Sequence, residues 1–131
     1  QSEVGVASAM TASALAQMDG GSPSQVSHAM AIALKNVLGL VCDPVAGAVE
    51  VPCIKRNAMG VANAFVAADM ARAGIESAIP ADEVIMALCS VQKLLPVELR
   101  ASSRGGLGIT PTAKRLLAEK MERLAREASG Q

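Results

Sequence analysis

Apolar positions along the chain recur at helical rather than strand spacing. Residues 6–18 are rich in Ala, Met and Leu and predict a buried helix, which Asp19-Gly20-Gly21 stops with a turn. Ser22-Pro23-Ser24-Gln25 reads as a capping box with Pro at the first helical position. The helix it opens carries Val26, Ala29, Met30, Ala33, Leu34, Val37 and Leu38 on one face and is expected to end at Gly39. A third helix is predicted over 54–73, ahead of Gly74. A fourth opens after Pro80 with Asp82 and Glu83 in its first turn, where the helix dipole favours carboxylates, and closes at Pro96. Thr110-Pro111 starts the last helix. Leu116, Leu117, Met121, Leu124, Ala125 and Ala128 share one side of it, and the charged side offers the pairs Glu119–Arg123 and Glu122–Arg126.

Two segments break this pattern. GLVCDPVAGAVEVPC over 39–53 mixes two Pro and two Gly into a run of Val and Ala, and ASSRGGLG over 101–108 is polar and glycine-rich. Both read as structured loops. The expected architecture is all-α: one domain over 1–131, a compact bundle of about five helices with two irregular functional loops.

Composition sharpens the picture of the core. Residues of apolar type make up 51% of the chain, yet Phe65 is its one aromatic residue. Such a core is built from small side chains that pack closely, and it can draw on a neighbouring surface to complete its burial. Twelve basic residues balance twelve acidic ones, so no basic stripe points to nucleic acid. No apolar run reaches the roughly 18 residues of a membrane span, and the start has no signal-peptide pattern. The chain is read as a cytoplasmic, soluble polypeptide. Its abrupt opening, QSEVGVASAM, reads as the middle of a domain, so truncation at the N-terminus is expected.

An odd count of three cysteines in a reducing compartment disfavours a disulfide framework. Cys42 and Cys53 lie near the ends of the first loop, with ten residues between them. Pro and Gly can curl a rigid backbone around a metal and turn N–H groups toward a thiolate, and thiolates are the usual ligands of iron–sulfur clusters. The same two residues also read as small buried hydrophobes. Cys89, between Leu88 and Ser90, reads as core. His28, the one histidine, lies close to a helix cap and reads as a surface or packing residue; no zinc site or Ser–His–Asp triad has a candidate set. Ser103, Arg104, Gly105 and Gly106 offer a hydroxyl, a guanidinium and backbone N–H groups to a carboxylate, or form an ordinary loop. Arg56 and Asn57, at the start of the third helix, could face an anion or stand in a solvated first turn.

LGLVCDPVAGAVEVPCIKRNAMG closely resembles the signature region of the alpha chain, or alpha domain, of bacterial iron–sulfur L-serine dehydratases. EVGVASAM, IPADEV and the SSRGGLG–TPTA region resemble the same family in the same order, from Gln1 to about Leu116. The resemblance implies a helical domain and an enzyme that converts L-serine to pyruvate and ammonia with a 4Fe-4S cluster and no pyridoxal phosphate. It implies that Cys42 and Cys53 are two of three cysteine ligands, the third falling just ahead of the segment like QSEVGVA, and that Cys89 is not one. It also implies a beta chain or beta domain as partner, in a homo- or hetero-oligomer. Arg104, Gly105 and Gly106, then Ser103, Asn57 and Arg56, are the candidates for contacts with substrate; no residue is assigned as the general base. A related lyase acting on another small amino acid and a non-catalytic helical module without a cluster are the alternatives. The isolated segment is expected to be inactive.

Overall fold

The computed structural model describes residues 2–48 and 50–130. It is all-α, with five helices: α1 (Ser2–Met18), α2 (Pro23–Lys35), α3 (Cys53–Arg72), α4 (Ala81–Leu94) and α5 (Pro111–Ala128). Single 3-10 turns stand at Val45–Gly47, Val97–Leu99 and Gly106–Ile109. Among the described residues there is no strand; one isolated parallel bridge joins Cys42 to Arg100. No helix among them is long and apolar enough to cross a membrane.

The described residues fall into two units. The first comprises Gln1–Leu40 and Arg56–Leu94. Its core is an alanine seam. Ala9, Ala12 and Ala16 line α1, and Ala64, Ala67, Ala68 and Ala71 repeat at i, i+3, i+4 and i+7 on α3. Ala29, Ala31, Ala33, Ile32 and Leu34 come from α2, Val84 and Leu88 from α4. Val84 is the largest side chain that is fully buried. Side chains this small let helix axes approach closely, which explains how a core forms without aromatics.

A polar knot crosses the seam. Asn63 donates from Nδ2 to Ser8 Oγ (2.8 Å) and to the Ala33 carbonyl (2.9 Å), and its Oδ1 accepts from Asn36 (2.7 Å). Ser8, only 4% exposed, passes its own proton to the Gly60 carbonyl at 2.8 Å. Three helices are thereby registered by bonds that pair the buried Ser8 hydroxyl and both ends of the Asn63 amide. His28 has the packing role expected of it: Nδ1 accepts the Ser77 N–H at 3.1 Å, and Nε2 faces Ser24 Oγ.

Capping explains the boundaries. Ser22 Oγ accepts from the Gln25 N–H and Gln25 Oε1 accepts from the Ser22 N–H, completing the box. Gln25 Nε2 also reaches the last carbonyls of α3, Ala71 and Arg72, at 3.2 Å each. Two boundaries differ from expectation. α2 stops at Lys35 rather than at Gly39, because Val37 and Leu38 bond three residues back and tighten the chain into turns. α1 starts earlier than residue 6, at Ser2.

The second unit comprises Val41–Lys55 and Leu95–Gln131. Here α5, capped by Thr110 Oγ1 on the Ala113 N–H, packs on the Val45–Gly47 and Gly106–Ile109 turns, which also touch each other. Of α5, Ala113 alone is buried among the described residues; Leu116 is 40% and Met121 59% exposed, so its apolar side is uncovered. Its ion pairs are Arg115–Glu119 and Arg123–Glu127, both 3.7 Å, in place of the predicted Glu119–Arg123 and Glu122–Arg126. Glu119 and Arg123 each have a partner one turn either way, and on an exposed face that choice is worth only about 0.5 kcal/mol.

Candidate functional site

The second unit contains Cys42, Cys53 and the whole of the glycine-rich loop. Cys42 is held on both sides of its peptide: its N–H donates to the Leu99 carbonyl at 2.9 Å, and its carbonyl accepts from the Ala101 N–H at 2.7 Å. A two-bond grip of this kind fixes where the side chain leaves the backbone. After Cys42 the chain turns through Pro44 into the Val45–Gly47 turn, where Ala46 (φ 53°) and Gly47 (φ 68°) are both left-handed. The Val45 N–H closes the loop on the Val51 carbonyl at 2.9 Å, and Lys120 Nζ on α5 donates to the Ala46 carbonyl at 3.1 Å.

Cys53 is the first residue of α3 rather than the end of the loop. The Ile54 and Lys55 N–H groups are bonded to Glu50 and Pro52, which anchors the helix start. A side chain there stands at the positive end of a 20-residue helix dipole, a favourable place for a negatively charged donor atom. Cys42 and Cys53 are half-buried and free. Cys89 is exposed, not core as expected: the buried positions of α4 are Val84 and Leu88, and the next residue points about 100° further round the helix.

The glycine loop is a packed frame. Ser102 Oγ donates to the Glu98 carbonyl and accepts from the Arg104 N–H. Ala101 and Ser103 take left-handed φ values of 61° and 56°. Gly105 is buried, and a Cβ on it would stand 3.0 Å from the Glu98 carbonyl oxygen. Gly106 has φ +55°, and a Cβ there would fall 2.4 Å from Asp43 Oδ2. Both glycines are thus required by close packing, whatever else they contact. Ser103 is half-buried and Arg104 is exposed on the frame.

Asp43 is the residue that sequence reasoning passed over. It is 3% exposed, and its Oδ2 accepts the Leu107 N–H at 2.8 Å, joining the cysteine loop to the glycine loop. Next to a Pro, an Asp reads as an ordinary turn former, and its partner lies 64 residues away, so no local pattern marks it. Arg56 and Asn57 belong to the first unit. Arg56 is half-buried; Asn57 lines a cavity of about 220 Å³ with Glu3, Ser8 and Thr11.

The donor chemistry suits iron and sulfide, since both candidate ligands are thiols. Among the described residues no group of three or more His, Cys, Asp and Glu side chains is placed to hold a metal ion. Two thiolates make part of a four-iron site, so the residues fit as a partial ligand set.

A family model described as serine dehydratase alpha chain matches residues 1–108. The chain is 60% identical over 116 residues to the probable L-serine dehydratase, alpha chain, of Bacillus subtilis (strain 168), which is 88% of this chain and 39% of that protein. It is 54% identical over 129 residues to the probable L-serine dehydratase, alpha chain, of Latilactobacillus sakei, covering 98% of this chain and 60% of the relative. It is 47% identical over 110 residues to L-serine dehydratase 1 of Escherichia coli (strain K12), 83% of this chain and 24% of that protein. The chain therefore spans between about a quarter and three fifths of the length of these relatives.

Proposed function

The chain belongs to the serine dehydratase alpha-chain family, and from that premise we propose that it is the cluster-binding part of an L-serine ammonia-lyase that forms pyruvate and ammonia. The observation that carries the reading is the double grip of the 99–101 backbone on Cys42, in a unit that also holds Cys53. A frame of this stiffness suits a metal ligand, whose donor atom must keep its direction, better than it suits a packing residue.

In this reading Cys42 and Cys53 are two thiolate ligands of a 4Fe-4S cluster, and a third lies outside this sequence. When bound, the cluster supplies a Lewis-acidic iron that weakens the bond between serine's β-carbon and its hydroxyl. The chain's own part is to hold the thiolates and present Arg104. The Arg104 guanidinium, exposed on a rigid loop, is suited to pair with the substrate carboxylate through two parallel hydrogen bonds. Ser103, Gly105 and Gly106 give that loop its shape, and Asn57 and Arg56 are further candidates on α3. Pyridoxal phosphate has no role in the scheme.

The partner in this reading is a beta chain or beta domain, within an oligomer in the cytoplasm. The uncovered apolar side of α5 supports burial against such a partner.

The test is anaerobic reconstitution of the full-length enzyme with iron and sulfide. Charge-transfer absorbance and pyruvate from L-serine are expected, both lost in Cys42→Ser and Cys53→Ser. Unchanged iron content in both variants would remove the ligand assignment. Turnover of cysteine or threonine in preference to serine would move the substrate to another small amino acid.

A further inference from the structure

We propose that Asp43 is a positioning residue for Cys42, fastening the peptide that follows the thiol to the glycine loop through a buried carboxylate. The inference rests on Cys42 being a ligand for its purpose, but not for its observable.

The geometry has three parts, all within the second unit. The Asp43 side chain is buried to 3% exposure, where a carboxylate stays only if it is bonded. Its Oδ2 takes the Leu107 N–H at 2.8 Å, a charge-assisted bond. The loop comes this close because residue 106 has no side chain: a Cβ there would meet Asp43 Oδ2, Cβ and Cγ at 2.4, 2.8 and 2.9 Å.

The consequence concerns direction. Backbone bonds from Leu99 and Ala101 fix the peptide on either side of the Cys42 Cα. Asp43 adds a side-chain tie from the next residue to the far end of the same loop, past the left-handed Ala101 and Ser103. Cys42 and Asp43 together are then held by three bonds, two from Cys42 to residues 99 and 101 and one from Asp43 to residue 107, reaching across both ends of the glycine loop. The serine-side and cluster-side elements of the site move as one body, and Gly106 is explained by the carboxylate it approaches.

Site-resolved alkylation of the full chain without iron tests this, with iodoacetamide as the probe and mass spectrometry as the readout. Cys53 and Cys89 are internal controls. In Asp43→Leu, which keeps the branched four-atom skeleton and removes the acceptor, Cys42 alkylation should accelerate at least about tenfold, since hydrogen bonds to charged groups are among the stronger ones. Cys53 should change less than about twofold, because its helix start is anchored separately. Asp43→Asn retains an acceptor and should stay near the parent rate. Gly106→Ala, which pushes the loop off an intact Asp43, should mimic Asp43→Leu and serves if that variant does not fold.

Equal acceleration at all three cysteines would show general loosening and overturn the proposal, as would an unchanged Cys42 rate in folded Asp43→Leu or Gly106→Ala. In reconstituted enzyme the same variants should release iron faster in air while KM for serine changes less than kcat. If instead Cys42→Ser keeps its cluster, the ligand reading fails, and the alkylation result still decides whether Asp43 orients the thiol.

Discussion

Ala101 gives its N–H to the Cys42 carbonyl at 2.7 Å while standing at φ 61°, a conformation that alanine adopts only under constraint. The strain lies in the strand of backbone that grips the candidate ligand. Ala101→Gly should therefore stabilise the second unit by about 0.5–1 kcal/mol. Ala101→Pro removes the donor and cannot reach positive φ, so it should abolish iron retention. Urea unfolding and iron content check both, and a stabilising Ala101→Pro would sink the account.

Asn63 offers a stability test within the first unit. Asn63→Leu takes away the donors to Ser8 and Ala33 inside an apolar seam. The expected loss is about 2–3 kcal/mol, because buried acceptors are left without partners. A double-mutant cycle with Ser8→Ala should show coupling of about 1 kcal/mol, measured by denaturant titration. Simple additivity would mean that the knot is not one network.

Lys120 should matter locally. Lys120→Met keeps the aliphatic stem and removes the donor to the Ala46 carbonyl. A loss of about 1 kcal/mol is expected, and amide exchange at Ala48, whose N–H bonds Val45, should quicken several-fold. Unaltered exchange there would show that the turn stands without α5.

Cys89 is exposed and should be the first thiol to react with a bulky disulfide reagent. Cys89→Ser should leave iron content and pyruvate formation within about twofold of the parent, as surface substitutions commonly do. A large loss of iron would add Cys89 to the ligand set.

The helices were legible because their signals are local. The Ser22–Gln25 box and Thr110-Pro111 mark starts with a mechanism, and alanine periodicity marks the buried faces. The all-α class and the two irregular loops follow from the same signals. The misses are those where neighbours in space decide. Cys89 lies beside Leu88 in sequence but on another side of α4, and the phase of a four-turn helix cannot be set from composition alone. The α5 ion pairs chose the other partner one turn away. Asp43 was invisible because its meaning resides in Leu107 and Gly106, two residues on a loop whose own glycines suggested ligand binding before they suggested packing.

The alanine seam of the first unit inverts the usual direction of mutational fragility. Most cores are damaged by truncation, yet a seam of methyl groups has almost nothing to truncate. Its vulnerability is enlargement: one added isopropyl group at Ala12, Ala64 or Ala67, each fully buried, has no void to enter and must spread two helices. In a saturation scan these positions would accept Gly or Ser with modest loss and reject every larger residue. The pattern of permitted substitutions would then trace the helix contacts by size alone.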